Sequence, residues 1–140
     1  MQLYLPVATP LPQSVTLFGA SVPAGFPSPA DDYRDSSLDL NRYLIRDAAS
    51  SFMVRVAGDS MADAGIHHGD LLVVDRGLPP QHGHIVLAAI DGAFTVKRLH
   101  RRDGRVALLA ENAAYAPLEL GGEQELCIWG VVTACVKRFA

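Results

Sequence analysis

The Asp91-Gly92 pair is the sequence feature that most constrains how this chain can fold. It separates two apolar stretches, residues 84–90 and 93–101, and Asp-Gly is a preferred pair for a two-residue turn between antiparallel strands. A second hairpin of the same kind is predicted at Asp103-Gly104. The pattern therefore predicts antiparallel β-structure in the second half of the chain.

Further strands are predicted on both sides of these hairpins. The candidates are short, rich in apolar residues and bounded by Gly, Pro or Asp; they are residues 52–57, 71–75, 105–110 and 126–138. One short helix is predicted over residues 36–45. Its first serine is followed three residues later by an aspartate, a capping pattern, and Leu40, Tyr43 and Leu44 share a face that would pack on the sheet. The expected fold class is a compact, mainly β fold with one short helix.

Residues 1–30 carry no charged side chain and contain prolines at positions 6, 10 and 12. Such a segment cannot form a long helix, and we expect an extended N-terminal arm that lies on the domain of residues 31–140 or moves freely. The chain has no basic region of a secretion signal and no run of about 18 apolar residues. The sequence therefore predicts no membrane attachment and favours a cytoplasmic protein.

A Gly58-Asp59-Ser60 turn follows the predicted strand at 52–57. Gly and Asp end the strand by turn chemistry, and the serine should then begin a short helical turn with its hydroxyl pointing away from the sheet. An exposed hydroxyl beside backbone N–H groups without strand partners is typical of a serine acyl-transfer site. The same three residues are also common in ordinary turns.

Lys97 is the candidate base for this serine. None of the five histidines lies in a recognisable triad motif, and Asp63 stands where an S-x-x-K motif would place its lysine. Strand alternation puts Lys97 on one face with Thr95 and Leu99. Loss of hydration on an apolar face lowers the pKa of an amine, so a neutral Lys97 could take the proton of Ser60. The alternative is a lysine that reaches from a half-buried strand to solvent.

Several segments resemble the LexA/UmuD family of self-cleaving Ser-Lys proteases. They are Gly58-Asp59-Ser60-Met61, residues 69–75 (GDLLVVD) and residues 91–99 (DGAFTVKRL). Residues 24–30 (AGFPSPA) resemble the cleavage region of the UmuD branch, as do residues 38–41 and 113–117. The chain departs from UmuD where Ala24 replaces a cysteine, and LexA-type repressors carry alanine there. The similarity runs in order from Gly25 to the end of the chain.

This resemblance implies a fold of the LexA/UmuD type and a self-cleavage reaction without a cofactor or a metal. Ser60 would be the nucleophile, Lys97 the general base, and the bond between Ala24 and Gly25 the one that is cut. A RecA filament on single-stranded DNA would stimulate the cut in the SOS response to DNA damage. The shortened form, a homodimer, would then be the accessory subunit of an error-prone translesion polymerase with a UmuC-like catalytic subunit.

Three other classes of protein remain as alternatives. A LexA-type repressor needs a helix-turn-helix domain before the cleavage site, and 24 uncharged residues are too few to build one. A signal-peptidase-like enzyme that cuts other proteins needs membrane attachment. A binding module that keeps the fold without catalysis would not need Ser60, Lys97 and Ala24-Gly25.

The remaining chemistry-bearing residues favour structural roles. A net charge of −3 argues against a protein that coats nucleic acid, so the basic residues between 97 and 105 are expected at a solvated hairpin tip, with DNA or an acidic partner as the alternative. The histidines at 67, 68, 82 and 84 lack further ligands at a zinc-binding spacing. Cys127 and Cys135 would lie about 26 Å apart on one strand, too far for a disulfide. They are expected to be reduced core residues.

Overall fold

The computed structural model describes residues 3–6, 14–18, 24–25, 35–121 and 125–140. In these ranges the chain forms β1 (Leu3–Tyr4), β2 (Ser14–Phe18), β3 (Asp35–Asp39), α1 (Leu40–Leu44), β4 (Ser51–Arg55), a 3₁₀ turn (Ala62–Ala64), β5 (Leu71–Asp75), β6 (Ile85–Ile90), β7 (Ala93–Arg102), β8 (Arg105–Leu109), β9 (Leu118–Leu120) and β10 (Leu126–Val136). The prediction of a mainly β fold is confirmed. No helix within the described ranges is long and apolar enough to cross a membrane.

Eight strands form one antiparallel sheet in the order β1-β4-β5-β10-β6-β7-β8-β9, and β2 pairs with β3 separately. Three strands therefore lie between β4, which leads to Ser60, and β7, which carries Lys97. In a flat sheet, four spacings would hold β4 and β7 about 19 Å apart. The central strand β10 has register shifts between Ile128 and Gly130 and between Val132 and Ala134. Such bulges bend and twist a sheet, which helps to bring its distant strands together.

Both predicted hairpins are present, with the backbone that their sequences require. Asp91 and Gly92 have φ angles of 48° and 83°, and Asp103 and Gly104 have φ angles of 54° and 72°. Positive φ at both central residues is the type I′ geometry, whose twist matches that of the flanking strands. The second hairpin joins β7 to β8, and the first joins β6 to β7.

The predicted helix at 36–45 is wrong in its first half. Residues 35–39 form β3, which pairs with β2 along its whole length, because a distant strand supplies ladder partners that no local pattern reveals. The helix α1 starts at Leu40, and its N-cap is Asp39, whose carboxylate accepts a hydrogen bond from the Asn41 N–H at 3.0 Å. Leu40 and Tyr43 of its predicted packing face are exposed and Leu44 is half-buried, so this face is not part of the core.

The predicted arm is described only in part. Within it, β1 pairs with β4 and β2 pairs with β3, so both described strands lie in sheets. The bend at Ala24 and Gly25 is exposed. Leu5 and Pro6 follow β1, and the remaining arm positions lie outside the described residues.

The two cysteines lie on one strand, β10, and are free, as predicted. Both are exposed, so their predicted place in the core is wrong. The half-buried positions beside Cys127 are held by Leu126 and Ile128, and strand alternation turns the cysteine to the other side. Cys135 donates a hydrogen bond to the Asp70 carboxylate at 3.4 Å.

Gly130 is a buried glycine at the first bulge of β10. A Cβ atom there would lie 2.6 Å from Val74 Cγ1 and 3.0 Å from the Asp75 carbonyl oxygen. We expect Gly130→Ala to lower the free energy of unfolding by about 1–3 kcal/mol, because the backbone must shift to admit the methyl group. Chemical denaturation measures the change. The matched control is Gly121→Ala, where a Cβ meets no atom within 4 Å, and equal stability of the two variants would contradict the expectation.

Candidate active site

The turn that carries Ser60 is fixed to the domain at its start. The Val56 N–H donates to the Asp70 carbonyl at 2.8 Å, and the Gly69 N–H donates to the Val56 carbonyl at 2.9 Å. The chain then reverses through Gly58, whose φ of 92° favours glycine. The short 3₁₀ turn that follows confirms the predicted helical turn after Ser60, which is half-buried.

Lys97 meets Ser60 across the sheet. Its Nζ lies 2.9 Å from Ser60 Oγ, 2.7 Å from Thr95 Oγ1 and 3.2 Å from the Val96 carbonyl oxygen. The lysine is only 9% exposed, so it does not reach into solvent. The structure therefore brings together the serine and the lysine that the sequence singled out.

The surroundings of Lys97 favour a neutral amine. Burial lowers the pKa of Lys97, because loss of hydration disfavours the charged form. Its three hydrogen-bond partners are a hydroxyl of Ser60, a hydroxyl of Thr95 and a backbone carbonyl, all uncharged. A neutral amine has two N–H donors and one lone pair. It can therefore donate to Thr95 and Val96 while it accepts the proton of Ser60.

Ser60 and Lys97 lie in an open cleft of about 390 Å³. The apolar and aromatic side chains of this cleft belong to Val54, Val56, Ala57, Met61, Leu87, Phe94, Val96 and Tyr115. Phe94 also stands edge-on to Trp129, with ring centroids 4.9 Å apart. Polar side chains of Arg55, Asp59, Ser60, Thr95 and Lys97 line the rest of this cleft. An open cleft with both apolar and polar lining suits an extended uncharged segment of chain, such as the predicted arm.

The structure does not place Ala24 and Gly25 in this cleft. Both are exposed, and neither belongs to the residues that line the cleft. A Cβ atom at Gly25 would meet no atom within 4 Å. The segments on either side of this pair lie outside the described residues. Cleavage at this bond requires the arm to enter the cleft.

Residues 111–115 (the 111–115 loop) form part of the site that the sequence reasoning missed. Glu111 donates its N–H to the Ser60 carbonyl at 2.9 Å. Asn112 and Tyr115 bond to Asp59, the residue before the nucleophile. The family resemblance at 113–117 was the one sequence signal for this segment. Its loop sequence has no periodic pattern from which a contact could be predicted. The contact of Thr95 with Lys97 was open to prediction, since the two share a face of β7.

The histidines and basic residues have other partners. His68 Nδ1 accepts a hydrogen bond from the Gly58 N–H at 3.2 Å. Arg98 forms an ion pair with Glu111, and Arg105 pairs with Glu119. Across the described part of the chain, no group of three or more His, Cys, Asp or Glu side chains could hold a metal ion.

Comparison with known proteins gives concordant matches. A family model described as peptidase S24-like matches residues 16–133. Protein SamA of Salmonella typhimurium (strain LT2) is 49% identical over 136 residues, which cover 97% of this chain and 94% of that protein. Protein ImpA of Escherichia coli is 48% identical over 128 residues, covering 87% of this chain and 83% of ImpA.

A more distant match links the chain to the repressors. LexA repressor 1 of Xanthomonas campestris pv. campestris is 38% identical over 117 residues, which cover 84% of this chain and 58% of the repressor. The resemblance to the LexA/UmuD group seen in the sequence is thereby confirmed. With a matching serine peptidase model over most of its length, the chain belongs to the peptidase S24-like family.

Proposed function

We propose that Ser60 and Lys97 form a catalytic dyad that cuts the chain's own bond between Ala24 and Gly25. The observation that carries the proposal is the 2.9 Å separation of Lys97 Nζ and Ser60 Oγ at a buried lysine. A hydrogen bond of this length allows direct proton transfer from the hydroxyl to a neutral amine. The cut would separate residues 1–24 from the domain of residues 31–140.

The reaction would follow the acyl-transfer scheme of serine peptidases. Lys97 takes the proton as Ser60 Oγ attacks the carbonyl carbon of Ala24. The resulting lysine ammonium then gives a proton to the departing amine of Gly25, which leaves an ester between Ala24 and Ser60. Lys97, neutral again, activates the water that hydrolyses this ester.

The negative charge on the former carbonyl oxygen needs hydrogen-bond donors in the cleft. The Ser60 N–H is a suitable donor, because no described residue accepts a hydrogen bond from it. In this proposal the Ser60 N–H and that of a neighbouring residue stabilise the oxyanion.

Stimulation of the cut is part of the proposal. Since Ala24 and Gly25 lie outside the cleft, the cutting conformation must differ from this one, and an activator can act by favouring it. A RecA filament on single-stranded DNA is the activator that the family resemblance suggests. The segment around the cut bond is uncharged, so its transfer into the cleft desolvates no charge of its own.

The proposed role of the shortened form is that of an accessory subunit. It would act as a homodimer with a UmuC-like catalytic subunit of an error-prone translesion polymerase, in the SOS response to DNA damage. The similarity of residues 24–30 to the UmuD cleavage region and the near full-length match to SamA support this assignment. Direct nucleic-acid binding is not part of the proposal, because the net charge is −3 and carboxylates pair with Arg98 and Arg105.

The proposal predicts one cut at one position. Incubation of the purified chain with a RecA filament on single-stranded DNA should yield a product whose N-terminal sequence is Gly-Phe-Pro-Ser-Pro, that is, residues 25–29. N-terminal sequencing and intact mass check this result, and Ser60→Ala is the control that should stay uncut. A product with another N-terminus, or no product either with the filament or at alkaline pH, would show the assignment to be wrong.

A further inference from the structure

The 111–115 loop holds the serine turn through side chains as well as backbone. The Tyr115 hydroxyl donates to Asp59 Oδ1 at 2.6 Å, and Asn112 Nδ2 donates to the Asp59 carbonyl oxygen at 3.0 Å. Backbone bonds continue the attachment, since the Asp63 N–H donates to the Glu111 carbonyl at 2.8 Å. Asn112 and Tyr115 lie 53 and 56 positions after Asp59 in the sequence. These bonds therefore join distant parts of the chain at the residue that precedes the nucleophile.

We propose that Tyr115 is a positioning residue for the nucleophile, because its hydroxyl fixes Asp59 and thereby holds Ser60 Oγ against Lys97. The inference rests on the proposed function of Ser60 and Lys97 and adds a residue to it. Tyr115 acts through Asp59 and not on the reacting atoms.

The need for this contact follows from the turn itself. Gly58, with a φ of 92°, gives the chain before Asp59 more conformational freedom than another residue would. Gly58 and Asp59 are both exposed, so packing does not fix them. Hydrogen bonds therefore restrain this half of the turn. The Gly58 N–H donates to His68 Nδ1, and the side chains of Asn112 and Tyr115 donate to Asp59. Small errors in the position of a nucleophile slow a reaction strongly.

The pKa values of Tyr115 and Lys97 are shifted in opposite directions, upward for the tyrosine and downward for the lysine. Its hydrogen bond to the Asp59 carboxylate raises the pKa of Tyr115. A neutral Lys97 requires alkaline pH or deeper burial. The upward shift therefore favours the protonated hydroxyl that donates to Asp59.

The test compares self-cleavage rates of single and double variants. Tyr115→Phe and Asp59→Ala should each slow unstimulated cleavage about three- to tenfold, and the double variant should be no slower than either, because both remove one hydrogen bond. Asp59→Asn keeps an acceptor oxygen and should retain most of the rate. The matched control is Tyr43→Phe, which removes a tyrosine hydroxyl from α1, where Tyr43 is 69% exposed. It should cleave like the unchanged chain.

Two readouts separate positioning from general damage. The thermal midpoint and the midpoint of the pH–rate profile should stay unchanged in Tyr115→Phe, since the variant alters no charge and Tyr115 is not a hydrogen-bond partner of Lys97. In a Ser60→Ala background, hydrogen exchange of the Ala62 N–H, which bonds to the Asp59 carbonyl at 3.1 Å, should become faster on adding Tyr115→Phe.

Two results would overturn the inference. One is a Tyr115→Phe chain that cleaves at the unchanged rate, or whose slower rate comes with a lower thermal midpoint or a shifted pH profile. The other is an exchange rate of the Ala62 N–H that does not change when Tyr115→Phe is added to Ser60→Ala. This measurement tests the inference even if no variant cleaves. Cleavage by Ser60→Ala would refute the proposed function of the dyad, while the exchange experiment would still test the tyrosine.

Discussion

Lys97→Ala should lower the rate of self-cleavage at least about a thousandfold, because no other group described beside Ser60 Oγ can take its proton. Ser60→Ala should cause a loss of the same size. Its effect on stability should be small, since a half-buried turn serine makes few contacts. Rates are measured at a fixed alkaline pH from the appearance of the shortened chain on a gel.

Lys97→Arg is the matched variant that separates a base from a positive charge. Arginine keeps the charge and the hydrogen-bond donors but stays protonated at every accessible pH. It should therefore be as inactive as Lys97→Ala. Normal cleavage by Lys97→Ala would show that the base is misassigned, and the histidines would have to be reconsidered. Normal cleavage by Lys97→Arg would show that a positive charge, not a base, is what Ser60 requires.

The rate of unstimulated cleavage should rise about tenfold for each pH unit and then level off. Only the neutral form of Lys97 can accept the proton, and burial lowers the pKa of this lysine from its ordinary value of 10.5. The midpoint of this rise should therefore lie below pH 10.5. A profile that falls between neutral and mildly alkaline pH would contradict a lysine base.

An activator should move this profile toward neutral pH. An arm seated in the cleft would cover the remaining exposed part of Lys97, which is 9% of its surface, and further burial lowers the pKa of an amine. Profiles measured with and without the RecA filament compare the two midpoints. Equal midpoints would mean that the activator acts only on the position of the arm.

The same lysine links stability to pH. Its pKa is lower in the folded chain than in the unfolded chain, so the unfolded chain binds more protons between the lowered value and 10.5. The free energy of unfolding should then rise with pH across that window. Ser60→Ala, which stays uncut, allows the measurement by denaturant titration. Ser60→Ala with Lys97→Met should lack this part of the pH dependence.

Local chemistry in the sequence was enough to predict the hairpins. Asp91-Gly92 and Asp103-Gly104 have a backbone preference that does not depend on the rest of the fold. The prediction for the first half of the helix was wrong for the opposite reason. Its residues pair with β2, and a ladder to a distant strand overrides a capping pattern.

Only part of the site could be predicted from the sequence. Strand alternation placed Lys97 and Thr95 on one face, and turn chemistry exposed Ser60, but the family resemblance was needed to join them. The distance between the two residues depends on how five strands of the sheet curve, which no local pattern encodes. The bonds from the 111–115 loop to Asp59 were missed because loop residues carry no periodicity that predicts a partner.

The sequence separations within the site have a consequence for the timing of its activity. Ser60 and Lys97 are 37 residues apart, and Asp59 and Tyr115 are 56 residues apart. Contacts of this range form late in folding, because the entropy of closing a long loop must be overcome first. A growing or partly folded chain thus has a serine and a lysine but no dyad. Under the proposed function, self-cleavage therefore follows the folding of the domain, and a chain that is still being synthesised stays whole.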